Sequence, residues 1–248
     1  MISTAFHAAI YDPLYNGLVF LVGIIPSHDV GVAVITLTIV VRFILFPLSK
    51  RAVAAQMAMK EIAPEIEDLK RKIKDRTEQS KAIFALYKER GIHPFAGVAL
   101  VLLQFPVLIG LYFVFAHGGL EEIDHSILYF FVPAPGAVNS SFLGLVDMHS
   151  HSILLAGLAA VSQFIYTRLS MGPPATKDPS PVESSLSGDM AKSFDMQARY
   201  VLPVMIGVIA YTVVAAAPLY WLTSNIFMIC QEYLSGRRFN LKQVTSNK

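Results

Sequence analysis

The run from Val30 to Leu48 is apolar and long enough to cross a lipid bilayer, and it carries one arginine, Arg42. A spanning helix satisfies its own backbone but offers nothing to a charge. At 1.5 Å per residue, Arg42 lies roughly 10 Å from the end marked by Ser49-Lys50-Arg51, inside the nearer half of the membrane. A cation there costs on the order of 3 kcal/mol, so it is expected to face water, protein or a ligand. Snorkelling of the guanidinium to the near interface is one reading. The other is a wet, positive cavity, because no Asp or Glu lies inside the other apolar runs to act as counter-ion. Thr38, one turn earlier on the same face, suits a polar lining.

The distribution of charge extends this reading to the whole chain. Residues 1–29 and 117–150 contain no Lys or Arg. Basic residues concentrate between 50 and 93, where eleven Lys/Arg meet seven Asp/Glu, and again around the later runs. Of twenty Lys/Arg, nineteen fall on one side of a membrane crossed five times, and the twentieth is Arg42. By the positive-inside rule that side is the cytoplasm, with the N-terminus outside and the C-terminus inside. A composition 54% hydrophobic and 15% charged fits an all-α integral membrane protein.

In chain order, residues 11–25 read as an interfacial helix on the outer surface. Asp12 is its expected N-cap, Pro13 its first residue, and Tyr11, Tyr15 and Phe20 its aromatic anchors. An extra span is the alternative there. The first span covers 30–49. Residues 50–93 form a cytoplasmic helical hairpin: Ile62, Ile66, Leu69 and Ile73 make one apolar stripe, and a helix over 77–90 stops at Gly91. The second span covers 94–116, an outer loop 117–147, and the third span 148–169. The Pro/Ser-rich stretch GPPATKDPSPVESSLSGDM marks a flexible cytoplasmic loop over 170–198. Tyr200 to Gln231 has thirty-two uncharged residues between basic flanks (Lys177, Lys192 and Arg199 before, Arg237, Arg238 and Lys242 after), so it is expected to cross twice, as 199–216 and 218–235, turning near Ala217-Pro218. A cytoplasmic tail of 236–248 follows. No basic n-region opens the chain, so no cleaved signal peptide is expected.

Several stretches together resemble the YidC family of membrane protein insertases, related to the mitochondrial oxidase-assembly and chloroplast albino-type insertases. They are Asp12-Pro13-Leu14-Tyr15-Asn16; Ile39-Val40-Val41-Arg42 leading to Phe46-Pro47-Leu48; Leu86-Tyr87-Lys88 through Gly91-Ile92-His93-Pro94; and Leu103-Gln104-Phe105-Pro106 through Leu111-Tyr112. Gln163 and Leu219-Tyr220-Trp221 through Ser224-Asn225 complete the set. The resemblance implies five transmembrane helices around a hydrophilic groove open to the cytoplasm, with Arg42 as its positive charge. It carries groove positions over to Gln163 and Trp221. Gln104, Thr38, Ser224 and Asn225 are added here from the residues themselves. The implied activity is insertion and folding of nascent membrane proteins into the bilayer, alone or with the Sec translocon, with the ribosome as a further partner. No enzyme activity, cofactor, metal or specific nucleic acid is expected. The long basic C-terminal tail of some members is missing, which weakens ribosome tethering by that route.

Other readings stand beside this one. Gln163, Gln104 and Asn225 serve equally well as interhelical hydrogen-bonding groups, and Trp221 as an interfacial belt residue. His149 and His151 supply two imidazoles, too few for a metal site. The alternative function is a small-anion or organic-acid transporter using Arg42 as substrate cation. Against it, the two halves show no matched pair of interrupted helices. The topology is directly testable in a Cys230→Ala background. A cysteine at Gly136 should react with an impermeant reagent from outside, and cysteines at Ser185 or Ser246 only from inside. Outside labelling at Ser246 would refute the double crossing.

Overall fold

In the computed structural model, described residues are 4–92, 96–116, 120–171 and 196–234, without the side chains of 56, 60, 96–104 and 198. The expected loop over 170–198, the tail 236–248 and the His93-Pro94 junction therefore lie wholly or largely outside them. The chain divides into two compact units, Met1–Val40 with Leu108–Lys248, and Val41–Val107. The helices are α1 (Thr4–Phe6), α2 (Asp12–Ile24), α3 (Val30–Glu61), α4 (Ala63–Lys72), α5 (Arg76–Glu89) and α6 (Ala96–Ala116), then α7 (Ile153–Met171), α8 (Leu202–Thr212) and α9 (Ala216–Leu234). Among the described residues, Val30–Met59 and Ile153–Met171 are long and apolar enough to cross a membrane, and Phe105–Ala116 and Arg199–Thr212 are shorter apolar stretches.

Two features depart from the expected helix starts and share one cause. Asp12 is no N-cap: it continues a helical segment from Thr4 through a π turn at His7–Tyr11, with its N–H bonded to the His7 carbonyl. A second π turn, Gln197–Val201, leads into α8 in the same way, the Leu202 N–H bonding to the Gln197 carbonyl. Each turn ends two residues before a proline, Pro13 or Pro203. A proline ring collides with the carbonyl four residues back and lacks an N–H to bond it. Widening the preceding turn by one residue moves that carbonyl away, which is the ordinary geometry of a π bulge.

Helix α3 runs on to Glu61, through Pro47 and past Lys50-Arg51, so the break expected at 49 is not a helix end. Ala52 through Met59 are mostly good helix formers and offer nothing to stop it. The turn between the last two helices also moves. It falls at Val213, where the backbone becomes extended, rather than at Ala217-Pro218. Pro218 instead sits in the first turn of α9, where its missing N–H costs nothing.

In the larger unit, α7 packs against both α8 and α9. Small residues permit the close approach: a Cβ added to Gly207 would stand 3.0 Å from the Ala160 Cβ, and Ala156, Ala159 and Ala210 are buried together. This is the small-residue packing that lets helices associate where apolar burial gives no drive.

The loop between α6 and α7 folds over α2 and the start of α3 as a cap. It contains a hairpin of β1 (Ser141–Phe142) and β2 (Val146–Asp147), a departure from the all-α expectation. Tyr15, expected at an interface, is buried, and its hydroxyl accepts the Asp124 N–H at 2.8 Å. Burial pushes that phenol up from its ordinary value. The Ser126 hydroxyl and N–H bond the Asp124 carboxylate and hold it below the usual range. Asn16 donates to the Asp12 and Ile127 carbonyls and accepts the Tyr129 N–H at 2.6 Å. Asp29 caps α3 through the Val32 N–H at 3.0 Å, while its other oxygen accepts the Leu143 N–H at 2.8 Å. Phe142 lies over Gly31 so closely that a Cβ there would collide with the ring. At the far end of the cap, the Ser150 carbonyl accepts the Ala215 N–H at 2.8 Å.

In the smaller unit, α4 and α5 form the expected hairpin. Asp75 caps α5 by accepting the Glu78 N–H at 2.8 Å, so that helix begins at Arg76. Gly91 ends it with φ 64°, the left-handed geometry of a helix stop. Arg90 grips both oxygens of Glu65 at 2.7 and 2.9 Å across the hairpin. Both side chains are about half exposed, so the pair contributes at most about 1 kcal/mol.

Asp29 is the most consequential of these contacts. Asp29→Ala strands two backbone N–H groups and should cost about 2 kcal/mol. Asp29→Asn, with one acceptor oxygen left, should lose about half as much. Thermal unfolding in detergent, with proteolysis within 139–147 as a local readout, checks both. Equal stability for all three proteins would show that the carboxylate does not hold the cap.

Candidate functional site

Polar residues inside the larger unit collect on two helices. On α7 they are Ser162, Gln163, Thr167 and Ser170; on α9 they are Ser224, Asn225, Gln231 and Glu232, and all are buried. Their spacing explains this: 163 to 167 is one turn, and 163 to 170, 224 to 231 and 225 to 232 are two. Each helix therefore turns one polar stripe inward and leaves side chains such as Leu158, Val161 and Ile226 exposed.

A hydrogen bond joins the two stripes. Asn225 Nδ2 donates to Ser162 Oγ at 3.0 Å, and Ser162 in turn donates to the Ala159 carbonyl at 2.9 Å. Gln163 Nε2 donates to Thr167 Oγ1 along its own helix at 3.1 Å. Thr38 is buried, its hydroxyl donating to the Val34 carbonyl at 2.6 Å. Asn225 is thus an interhelical linker, whereas Gln163 is held within α7. Ser224 is wholly buried beside it on α9. Trp221 packs against Ala156, Ala159 and Ala210 as part of an apolar cluster. Gln104 lies on α6, and its side chain is among those not described.

Arg42 belongs to the smaller unit and is only 5% exposed on α3. The expectation that the apolar helices contain no carboxylate needs correction. Glu232 stands one residue past the uncharged run, but α9 continues to Leu234 and buries Glu232 completely. Arg199, one of the basic residues flanking that run, is likewise buried at the π turn before α8. Composition windows miss such residues because they end at the first charge. The two-turn spacing from Asn225 to Glu232 was the signal available.

Buried polar stripes inside apolar helices define a mostly helical protein of the membrane class, and the comparisons with known proteins narrow it. The model of the 60Kd inner membrane protein family matches residues 21–243. The chain belongs to that family. It is 29% identical to the membrane protein insertase YidC of Oceanobacillus iheyensis, over 88% of this chain and 78% of that protein. Identity to the YidC insertase of Clostridium tetani is 30%, covering 86% and 84% of the two chains. Membrane protein insertase MisCA of Bacillus subtilis is 30% identical over 88% of this chain and 74% of its own length. A crystal structure of an active YidC insertase with its first transmembrane domain resolved matches 90% of this chain and 46% of its own, with TM-score 0.57 and 22% identity. That likeness supports the fold.

The contact between stripes is measurable. In a double-mutant cycle of Ser162→Ala and Asn225→Ala, the coupling should be about 0.6 kcal/mol and no more than about 2, the range for such bonds between membrane helices. Zero coupling in unfolding would show that the two side chains do not act as a pair.

Proposed function

We propose that this chain is a membrane protein insertase that lowers the barrier for polar segments of nascent membrane proteins entering the bilayer. The observation that carries this is the pair of buried polar stripes on α7 and α9. The insertase names of its relatives agree with it.

The reading places five spans on α3, α6, α7, α8 with its π turn, and α9. The N-terminus and the cap lie outside, and the α4–α5 hairpin and the C-terminus in the cytoplasm. The one-sided distribution of Lys and Arg supports that orientation. Helix α2 lies along the outer surface beneath the cap. A chain crossing hydrocarbon loses several kcal/mol for each unsatisfied polar group. Hydroxyl and amide groups at Thr38, Gln104, Gln163, Ser224 and Asn225 replace part of the lost hydration. Arg42 attracts acidic residues of a short outgoing tail, and Trp221 gives the outer part of the path an apolar wall. The hydrophobic part of the substrate then moves into lipid, driven by its own apolar burial. This chemistry requires neither nucleotide nor metal. The Sec translocon and the ribosome are the partners this role would use, and the charged hairpin is the surface offered to them.

Arg42 provides the deciding experiment. A single-span substrate is made with an acidic and with a neutral outgoing tail and inserted into liposomes carrying wild type, Arg42→Lys or Arg42→Ala. Arg42→Lys should keep much of the activity, since an ammonium preserves the charge without the planar fork. Arg42→Ala should reduce insertion of the acidic-tailed version selectively. Equal loss for both tails would remove the electrostatic role. No loss for either would make Arg42 a snorkelling anchor.

A further inference from the structure

The cap presents apolar side chains that its own fold does not cover. Phe130 is 101% exposed and Phe131 61%; Leu143 and Leu145 on the hairpin turn are 64% and 83% exposed. These positions are not loose ends. Asn16 clamps the backbone at Ile127 and Tyr129, one residue before Phe130, and Asp29 clamps the N–H of Leu143.

Leu143 is the more informative residue. Its φ is 50°, in the left-handed region where glycine or asparagine is the ordinary choice. A leucine there is strained, and in water its exposed side chain gains nothing in return. The following Gly144, at φ 71°, shows that the same turn uses glycine where it can. An apolar side chain held at a strained tip makes physical sense if the medium around that tip is apolar.

The strained tip stands beside helices apolar enough to cross a membrane. Leu143 is hydrogen-bonded to Asp29, the residue immediately before the apolar helix α3, and Phe142 lies against Gly31 in its first turn. Strand β2 ends at Asp147, six residues before Ile153. There the exposed apolar surface continues with Ile153 and Leu154 at the start of α7. Between 117 and 150 the chain carries four acidic residues and no Lys or Arg, so attraction to anionic headgroups cannot provide the contact.

We propose that Phe130, Phe131, Leu143 and Leu145 sink into the outer leaflet of the bilayer, making the cap a lipid-seated wedge rather than a solvated loop. This rests on the outside placement of the cap proposed above. The wedge would fix the height of the cap against the membrane at the closed end of the insertion path. Its contact with lipid is driven by apolar burial and aromatic anchoring, independently of lipid charge.

Trp221 is the only tryptophan, so Trp221→Phe gives a silent background. In it, Phe130→Trp reports on the cap, and Val208→Trp, an exposed position on α8, reports on membrane seating of the helices. Each protein is reconstituted into phosphatidylcholine vesicles containing lipids brominated at shallow or deep acyl positions, with and without phosphatidylglycerol. The expected result for Phe130→Trp is blue-shifted emission, strongest quenching by shallow bromines, protection from aqueous iodide, and no change with phosphatidylglycerol. Phe130→Trp quenched by iodide and not by bromolipid, with Val208→Trp still quenched by lipid, overturns the wedge alone. Protection from both quenchers means that a protein covers the site, and also overturns it. Loss of lipid quenching at Val208 as well would instead contradict the membrane placement on which the wedge rests.

Discussion

An apolar medium offers no hydrogen bonds, and that constraint organises this chain from its backbone outward. Among the described residues, several polar side chains of its apolar helices are each met by another group of the chain. Thr38 returns its hydroxyl to its own helix, Gln163 reaches one turn along α7, and Asn225 reaches across to Ser162. Each solution uses a bond already within reach, so none forces a helix to bend or a loop to enter the apolar interior. The result is a polar seam made by rigid elements. In the insertase reading proposed above, such preorganisation would mean that donors and acceptors need not be assembled for each passenger.

The same constraint explains which parts of the fold were legible in the residues. Helix identity was readable wherever apolar period and charge agreed, as in the stripe from Ile62 to Ile73 and the stop at Gly91. Ends were less so. Lys50 marks where lipid can end, but α3 continues through Pro47 and past Lys50 as far as Glu61, so the end of the lipid and the end of the helix are different boundaries. The final turn falls a few residues earlier than expected for a related reason. Pro218 was read as a breaker, whereas a proline in the first turn is a starter. The hairpin at 141–147 left only a weak trace, a short alternation around Gly144, and its register depends on Asp29 more than a hundred residues away.

The candidate site was legible by residue type and less so by partner. Arg42, Thr38, Gln163, Ser224 and Asn225 stood out as polar groups in apolar runs, and all five are buried. Ser162 and Thr167, which complete two of the hydrogen bonds, are small hydroxyl residues that membrane helices tolerate anywhere. Glu232 and Arg199 were hidden by their position at the edges of an uncharged stretch. Their burial shows that the start of α8 and the end of α9 enclose charged residue types rather than simply marking a boundary.

The π turn before Pro203 has a geometric consequence for Arg199. Adding one residue to a turn advances the angular phase of everything upstream by roughly 100° relative to the helix beyond. Arg199 lies inside that turn and faces in, on the side that Pro203, Ile206 and Ala210 also bury, while Tyr200 and Val201 face outward. The widened turn therefore makes room for the proline ring while Arg199 stays on the enclosed side of the helix. One inserted residue acts as a vernier, resetting the rotational register of the chain that precedes α8 without exposing that side chain.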